Sequence, residues 1–186
     1  LAFGDRVATL AWNGYRHFEL YFGVSGSGRV LHTLNPRLAP DQVVWIANHA
    51  EDRVIFTDLT FLPVLAQIRD QIPTVKHFIV LTDAAHMTDE LPGALAYETL
   101  VESHSADCEW GGFDETSPAG LCYTSGTTGN PKGVLYSHRS NFLHTLVTAG
   151  VDVMGMGATE TVLPVVPMFH ANAWGIAFSA PAVGAK

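Results

Sequence analysis

The strongest constraint on this chain is the alternation of two hydrophobic periods along its first 82 residues. The runs "RVATLAWN" (6–13), "RVLHTLN" (29–35), "RVIFTD" (53–58) and "HFIVLT" (77–82) are short, apolar and β-branched, and read as buried strands. Helical stripes stand between them. Residues 15–25 place Phe18, Tyr21, Phe22 and Ser25 at three- and four-residue steps. Asp41 can start a helix in which Val43, Ile46, Ala47 and Ala50 share one face. Phe61, Leu65, Ile68 and Ile72 make another stripe. Strand–helix alternation of this kind predicts an α/β fold, a mainly parallel sheet covered by helices.

Farther along, residues 83–118 are polar and carry Pro, Gly and Ser, so a long surface connection is expected there. "GLCYT" (120–124) then reads as a strand, and Leu143, Leu146 and Val147 mark a helix after it. No internal repeat or low-complexity tract is visible.

Composition narrows the function classes. The chain is 47% hydrophobic and 15% charged, which suits a globular domain with a sizeable core. A net charge of −8 argues against a general grip on nucleic acid or anionic lipid, while leaving room for an anion held locally. Cys108 and Cys122 are too few for a disulfide scaffold and fit a reduced, cytoplasmic setting. The longest nearly apolar run, 173–185, contains Ser179 and Pro181 and is too short to span a bilayer. Nothing reads as a signal peptide. A start at Leu1 and a stop at "PAVGAK" lead to the expectation of a fragment of a longer protein.

The chemistry concentrates in "YTSGTTGNPKGVLYSHRS" (123–140). Gly, Ser, Thr and Asn-Pro are turn residues, and a plain surface turn is the ordinary reading of such a cluster. Three details point elsewhere. The loop follows an apolar strand, it carries the hydroxyls of Thr124, Ser125, Thr127 and Thr128 around Gly126 and Gly129, and Lys132 sits just beyond Pro131. Glycines let successive N–H groups converge on an anion, hydroxyls add donors without bulk, and a lysine in a flexible loop brings a point charge. These residues are those of a phosphate holder. The spacing is neither that of the common NTPase P-loop, because Pro precedes Lys132 and Gly133 follows it, nor the dinucleotide fingerprint.

The ordered string "YTSGTTGNPKGV" resembles the phosphate-loop signature of the adenylate-forming (AMP-binding) superfamily, which includes acyl-CoA synthetases, luciferases and peptide-synthetase adenylation domains. "DRVATLAWNGYRHFELYFGV" (5–24), "VLHTLNPRLAP" (30–40), "NHAEDRVIFTD" (48–58) and "VLPVVPMFHANAWG" (162–175) resemble its medium- and long-chain fatty acyl-CoA synthetase branch. The "SGSG" at 25–28 departs from the Pro-Gly pair of that branch, and a turn rather than the chemistry should feel it.

The resemblance implies that residues 1–186 are part of the large N-terminal AMP-binding domain, without the C-terminal domain, and that this piece alone is inactive. It implies a ligase using ATP, a fatty acid and CoA, with Mg²⁺. Ser125, Gly126, Thr127, Thr128, Gly129 and Lys132 would hold phosphates, and Thr124 would hold phosphate and act as the Mg²⁺ ligand. His170 alone would pass for a packed histidine and Trp174 for core. By resemblance, His170 joins Lys132 in catalysis at the carboxylate end of the acyl site. Asn172 belongs to the acyl site with it, and Trp174 matches the aromatic gate of a fatty-acid tunnel. The implied partners are small molecules, with no nucleic acid and no transmembrane segment; peripheral membrane contact and a homodimer of the full-length protein stay open. An aryl-CoA ligase, another adenylation domain and a non-catalytic nucleotide-binding relative are the alternatives. His138 and His144, six apart, fall on different helix faces with no acidic partner at metal spacing, and no Gly-x-Ser-x-Gly elbow is present.

Overall fold

The four early apolar runs lie side by side in one sheet of the computed structural model, which describes residues 1–124 and 129–186. The strands are β1 (Arg6–Leu10), β2 (Val30–Thr33), β3 (Val54–Thr57), β4 (His77–Val80), β5 (Leu95–Ala96), β6 (Pro118–Thr124) and β7 (Lys132–Ser137). Their spatial order is β5-β4-β3-β1-β2-β6-β7. Every neighbouring pair is parallel except the β6–β7 hairpin.

Helices α1 (Tyr15–Gly26), α2 (Pro40–Ala50), α3 (Leu62–Ile68), α4 (Tyr97–Glu102), α5 (His138–Ala149) and α6 (Ile176–Ala182) cover the sheet. Alternate strand residues face opposite ways. Ala8, Leu10, Ile55 and Val80 pack with Val43, Ile46 and Ala47 of α2 and Leu62 and Leu65 of α3. Val7, Leu31, Val54 and Ile79 pack instead with Leu20, Tyr21 and Val24 of α1 and Ala177 of α6. Burial on both faces is why the strands read as continuous apolar runs rather than as alternating ones.

Several expectations need correction. The inward face of α1 is His17, Leu20, Tyr21, Val24 and Ser25, so Tyr21 and Ser25 of the expected stripe face inward. Phe18 and Phe22 are only partly covered and meet edge-on with ring centroids 5.3 Å apart. The stretch 83–118 is not bare connection, since it holds β5 and α4. β5 has only two residues, too few to show a period, and it extends the sheet through Ile79↔Leu95 and Val80↔Ala96. In α5, Thr145 and Thr148 turn inward while Leu143, Leu146 and Val147 are exposed. Strand β7 went unread because its first residues belong to the phosphate-loop string.

The chain moves outward from β1 to β2, then returns to the other side of β1 at β3. The first crossover helix, α1, and the second, α2, lie on opposite sheet faces. Ligand crevices of α/β sheets form beyond the carboxyl ends of strands at such a reversal. Trp12 and Asn13 follow β1 there, Asn35 to Arg37 follow β2, and Thr124 ends the neighbouring β6.

His17 of α1 braces this edge from inside. Its Nδ1–H donates to the Trp12 carbonyl at 3.0 Å and its Nε2 accepts from the Thr9 hydroxyl at 2.9 Å. Burial pushes its pKa down to about 4, so the ring is neutral near pH 7.

Candidate functional site

Strand β6 ends at Thr124, β7 starts at Lys132, and these two residues are cross-strand partners. Side chains directly opposite in an antiparallel pair leave the same face of the sheet. The hydroxyl and the ammonium therefore stand together at the base of the hairpin. Lys132 is the first residue of a strand and not a mid-loop residue as the sequence suggested. It is exposed and forms no ion pair with any described residue. Gly129 has φ of 97°, a left-handed backbone that favours glycine. Ser125, Gly126, Thr127 and Thr128 lie outside the described residues.

Alternation sorts the hairpin into two faces. Gly120, Cys122 and Thr124 share a face with their partners Tyr136, Val134 and Lys132. That face receives the segment after α5. The Cys122 thiol donates to Asn172 Oδ1 at 3.6 Å, and Asn172 Nδ2 lies 3.8 Å from where a Cβ on Gly120 would be. The strand that leads into the glycine-rich loop and the segment around Asn172 thus meet on one surface.

Residues 162–175 have little regular structure and are pinned by side chains from α1 and its approach. Asn13 Nδ2 donates to the carbonyls of Pro164 (2.8 Å) and Val166 (3.0 Å), and its Oδ1 accepts from the Met168 N–H at 2.7 Å. The Tyr21 hydroxyl donates to the Met168 carbonyl and lies 3.3 Å from Asn172 Oδ1. Phe169 packs 6.2 Å from Trp12, with the Arg37 guanidinium 5.9 Å from its ring centre. Sequence reading passed over Asn13 and took Tyr21 only as part of a helical face. A buried tyrosine needs a hydroxyl partner, which was the available signal.

From Ala171 to Gly175 every φ is positive: 44°, 52°, 49°, 57° and 77°. Left-handed backbone costs an L-residue about 1–2 kcal/mol, so a run of four non-glycine residues is costly to hold. The turn directs Asn172 and Ala173 into the core and leaves Trp174 58% exposed. His170, just before it, is also exposed. Of the residues assigned to the acyl site, His170 and Trp174 face outward, whereas the Asn172 amide is turned beneath them onto Tyr21 and Cys122.

A cavity of about 440 Å³ opens between this turn and α5, bordered by Tyr136, Asn141, His144, Trp174 and Phe178. His144 presses on Gly175, where a Cβ would come within 2.6 Å of its Nδ1. A second, larger cavity of about 520 Å³ lies across the segment, against Tyr15, Phe18, Ile176 and Ala180. The smaller one is the better candidate, because Tyr136 brings the Thr124–Lys132 face to its wall while the larger one has no contact with the hairpin.

Burial pushes the Cys122 thiol, the Tyr136 phenol and the deeply buried Tyr21 phenol upward, so all three stay protonated near neutrality. Burial also pushes His138 downward. Cys122 is therefore an inert thiol rather than a nucleophile. Among the described residues no group of three or more His, Cys, Asp or Glu could hold a metal ion. The arrangement suits binding and orientation of an anion beside an apolar cavity.

A family model described as AMP-binding enzyme matches residues 1–186. The chain is 52% identical to a 3-methylmercaptopropionyl-CoA ligase of Ruegeria lacuscaerulensis, over 98% of this chain and 34% of that protein. It is 51% identical to a medium-chain-fatty-acid–CoA ligase of Ectopseudomonas oleovorans, again over 98% and 34%. The chain thus spans about a third of the length of these curated relatives. Among solved structures, the inhibitor-bound N-terminal domain of FACL13 from Mycobacterium tuberculosis superposes with a TM-score of 0.80 at 28% identity, over all of this chain and 44% of that one.

Proposed function

The chain belongs to the AMP-binding enzyme family, and from that premise we propose that it forms part of the N-terminal domain of a fatty acid–CoA ligase. The observation that carries the reading is the Thr124–Lys132 pair standing on the hairpin face that also receives residues 167–175. One surface then serves both the nucleotide phosphates and the acid.

In the proposed reaction a carboxylate oxygen attacks the α-phosphorus of ATP, forming acyl-AMP and releasing pyrophosphate. The sulfur of CoA then attacks the acyl carbon, its proton is lost to solvent, and AMP leaves. In-line attack on phosphorus needs chiefly positioning and charge neutralisation. Lys132 supplies the positive charge beside the β- and γ-phosphates, with Gly129 and the loop residues Ser125, Gly126, Thr127 and Thr128 as donors. In this reading His170, exposed just before the left-handed turn, serves the carboxylate end of the acyl site, and Trp174, which borders the cavity, serves its mouth. Asn172 serves the acyl site from beneath, by holding the turn that presents both.

Mg²⁺ prefers six oxygen ligands and keeps several waters when it travels with a nucleotide. The exposed Thr124 hydroxyl at the strand end fits as one such ligand, with the phosphates supplying others. Bound there, the ion would neutralise the charge that develops on the phosphate oxygens. Among the described residues no helix is long and apolar enough to cross a membrane. A cytoplasmic setting belongs to the proposal and rests on cysteine usage.

Two relatives at 52% and 51% identity are named for different acids, so identity does not choose the substrate. The apolar part of the cavity wall, from Phe178 and Trp174, supports an acid with an alkyl chain as the substrate class. Pyrophosphate exchange by the full-length protein, measured with acids from four to sixteen carbons, tests this. Exchange strongest with alkyl-chain acids supports the reading. Exchange with amino acids or aryl acids alone would replace it.

A further inference from the structure

We propose that Tyr123 is a positioning residue which, clasped by His49 and lying across Gly133, fastens the base of the phosphate hairpin to helix α2. The need for such a tie follows from the sheet. Pairing of β6 with β2 ends at Thr33↔Cys122. Beyond it the last residues of β6, Tyr123 and Thr124, pair only with β7, whose own residues from Lys132 to Leu135 are exposed. Thr124 and Lys132 would thus hang from a two-stranded ribbon, and such a ribbon is marginal in water.

Tyr123 points to the face opposite Thr124 and reaches the solid part of the fold. Its hydroxyl is 2.6 Å from His49 Nδ1. His49 is stacked on Trp45 of the same helix, with centroids 4.7 Å apart and planes 16° apart. The Tyr123 ring also meets Trp45 edge-on at 6.3 Å and lies 5.2 Å from His32. His32 is itself fixed, because its Nδ1–H donates to Asp52 at 2.8 Å and both side chains are wholly buried.

Gly133 completes the clasp. It is the cross-strand partner of Tyr123, and a Cβ there would lie 3.3 Å from Tyr123 Cζ and 3.2 Å from Leu121 Cδ1. The glycine that follows Lys132 is thus the notch in which the ring lies. Displacing the ring would move the residue next to Lys132 on one strand and the residue next to Thr124 on the other.

Two readouts on the full-length protein test the inference, and its kinetic arm rests on the ligase reading. In Tyr123→Phe and His49→Leu, amide hydrogen exchange at 123–124 and 132–134 should quicken while β1 and β3 keep their protection. KM for ATP in pyrophosphate exchange should rise about two- to tenfold, the range of one lost neutral hydrogen bond, with KM for the acid and the melting temperature nearly unchanged. His49→Gln, which can still bond the phenol, should keep most of the wild-type behaviour. Unchanged amide exchange in both variants, or equal rises in both KM values with a fall in melting temperature, would overturn the tie. A wild-type protein without carboxylate-dependent pyrophosphate exchange would sink the ligase reading, and the amide exchange would then decide the tie by itself.

Discussion

Replacing Gly175 by alanine separates the cost of the left-handed turn from its role at the cavity. The backbone there has φ of 77°, and alanine in that region costs about 1–2 kcal/mol. Lower entropy of the unfolded chain returns roughly 0.4–1 kcal/mol, leaving a net loss near 1 kcal/mol. The new methyl would also stand 2.6 Å from His144 Nδ1 and 2.8 Å from Cε1. Ordinary contact distances begin at about 3.5 Å, so the ring must retreat by roughly 1 Å. His144 is exposed and free to swing, and its open direction is the cavity of about 440 Å³. Gly175→Ala should therefore lower stability in urea titrations by about 1 kcal/mol and raise KM for the acid while leaving KM for ATP in place. Adding His144→Ala should restore the acid KM but not the stability, because only the steric part involves the imidazole. Full stability in Gly175→Ala, or an acid KM that His144→Ala leaves raised, would refute this division.

Lys132→Ala should lower kcat/KM for ATP roughly ten- to a hundredfold, the worth of one charge-assisted hydrogen bond, with stability unchanged because the side chain is exposed; wild-type pyrophosphate exchange at sub-saturating ATP would refute it. Trp174→Ala should alter chain-length preference without destabilising the protein, since its ring is 58% exposed, and a profile across acids of four to sixteen carbons reads this out. His17 sets a pH dependence: its pKa is about 4 in the fold against 6.5 free, so between these values the unfolded chain binds the extra proton. Stability should be fully present above pH 6.5 and fall as pH drops toward 4, by at most about 3 kcal/mol from this group, and urea titrations of wild type and His17→Gln should diverge across that window.

The stripes that could be read were those whose apolar residues had nowhere else to go. Val43, Ile46, Ala47 and Ala50 all turn inward on α2, and Phe61, Leu65, Ile68 and Ile72 are all buried. The same logic located α5 but marked its exposed face. Thr145 and Thr148 can be its buried residues because their hydroxyls donate to the Asn141 and His144 carbonyls of their own helix, each at 2.8 Å. A threonine that satisfies itself in this way is effectively apolar, and periodicity counts it as polar. At the site, the glycine and hydroxyl string raised the expectation of phosphate binding, and its residues Ser125, Gly126, Thr127 and Thr128 lie outside the described residues. The pairing of Thr124 with Lys132 stayed hidden, because it depends on a strand beginning at the lysine. Asn13 and His144 were hidden for another reason: their partners lie 151 or more residues away for Asn13 and across a left-handed turn for His144.

The sheet order also fixes when the site can come into being. The β6–β7 hairpin closes a short loop and can form within microseconds, but it reaches the sheet through contacts such as Thr33 to Cys122, 89 residues apart in sequence. Asn13 secures Met168 across 155 residues. Each closure must bear its loop entropy before any contact rewards it, so β1 to β4 with α1 to α3 should consolidate first. The hairpin and the left-handed turn then dock on a finished template. If the same order runs backwards when the fold loosens, the first cooperative unit to open should be the one that carries Thr124, Lys132 and Trp174. A protein destabilised anywhere in its sheet would then lose this edge while most of its secondary structure still stood.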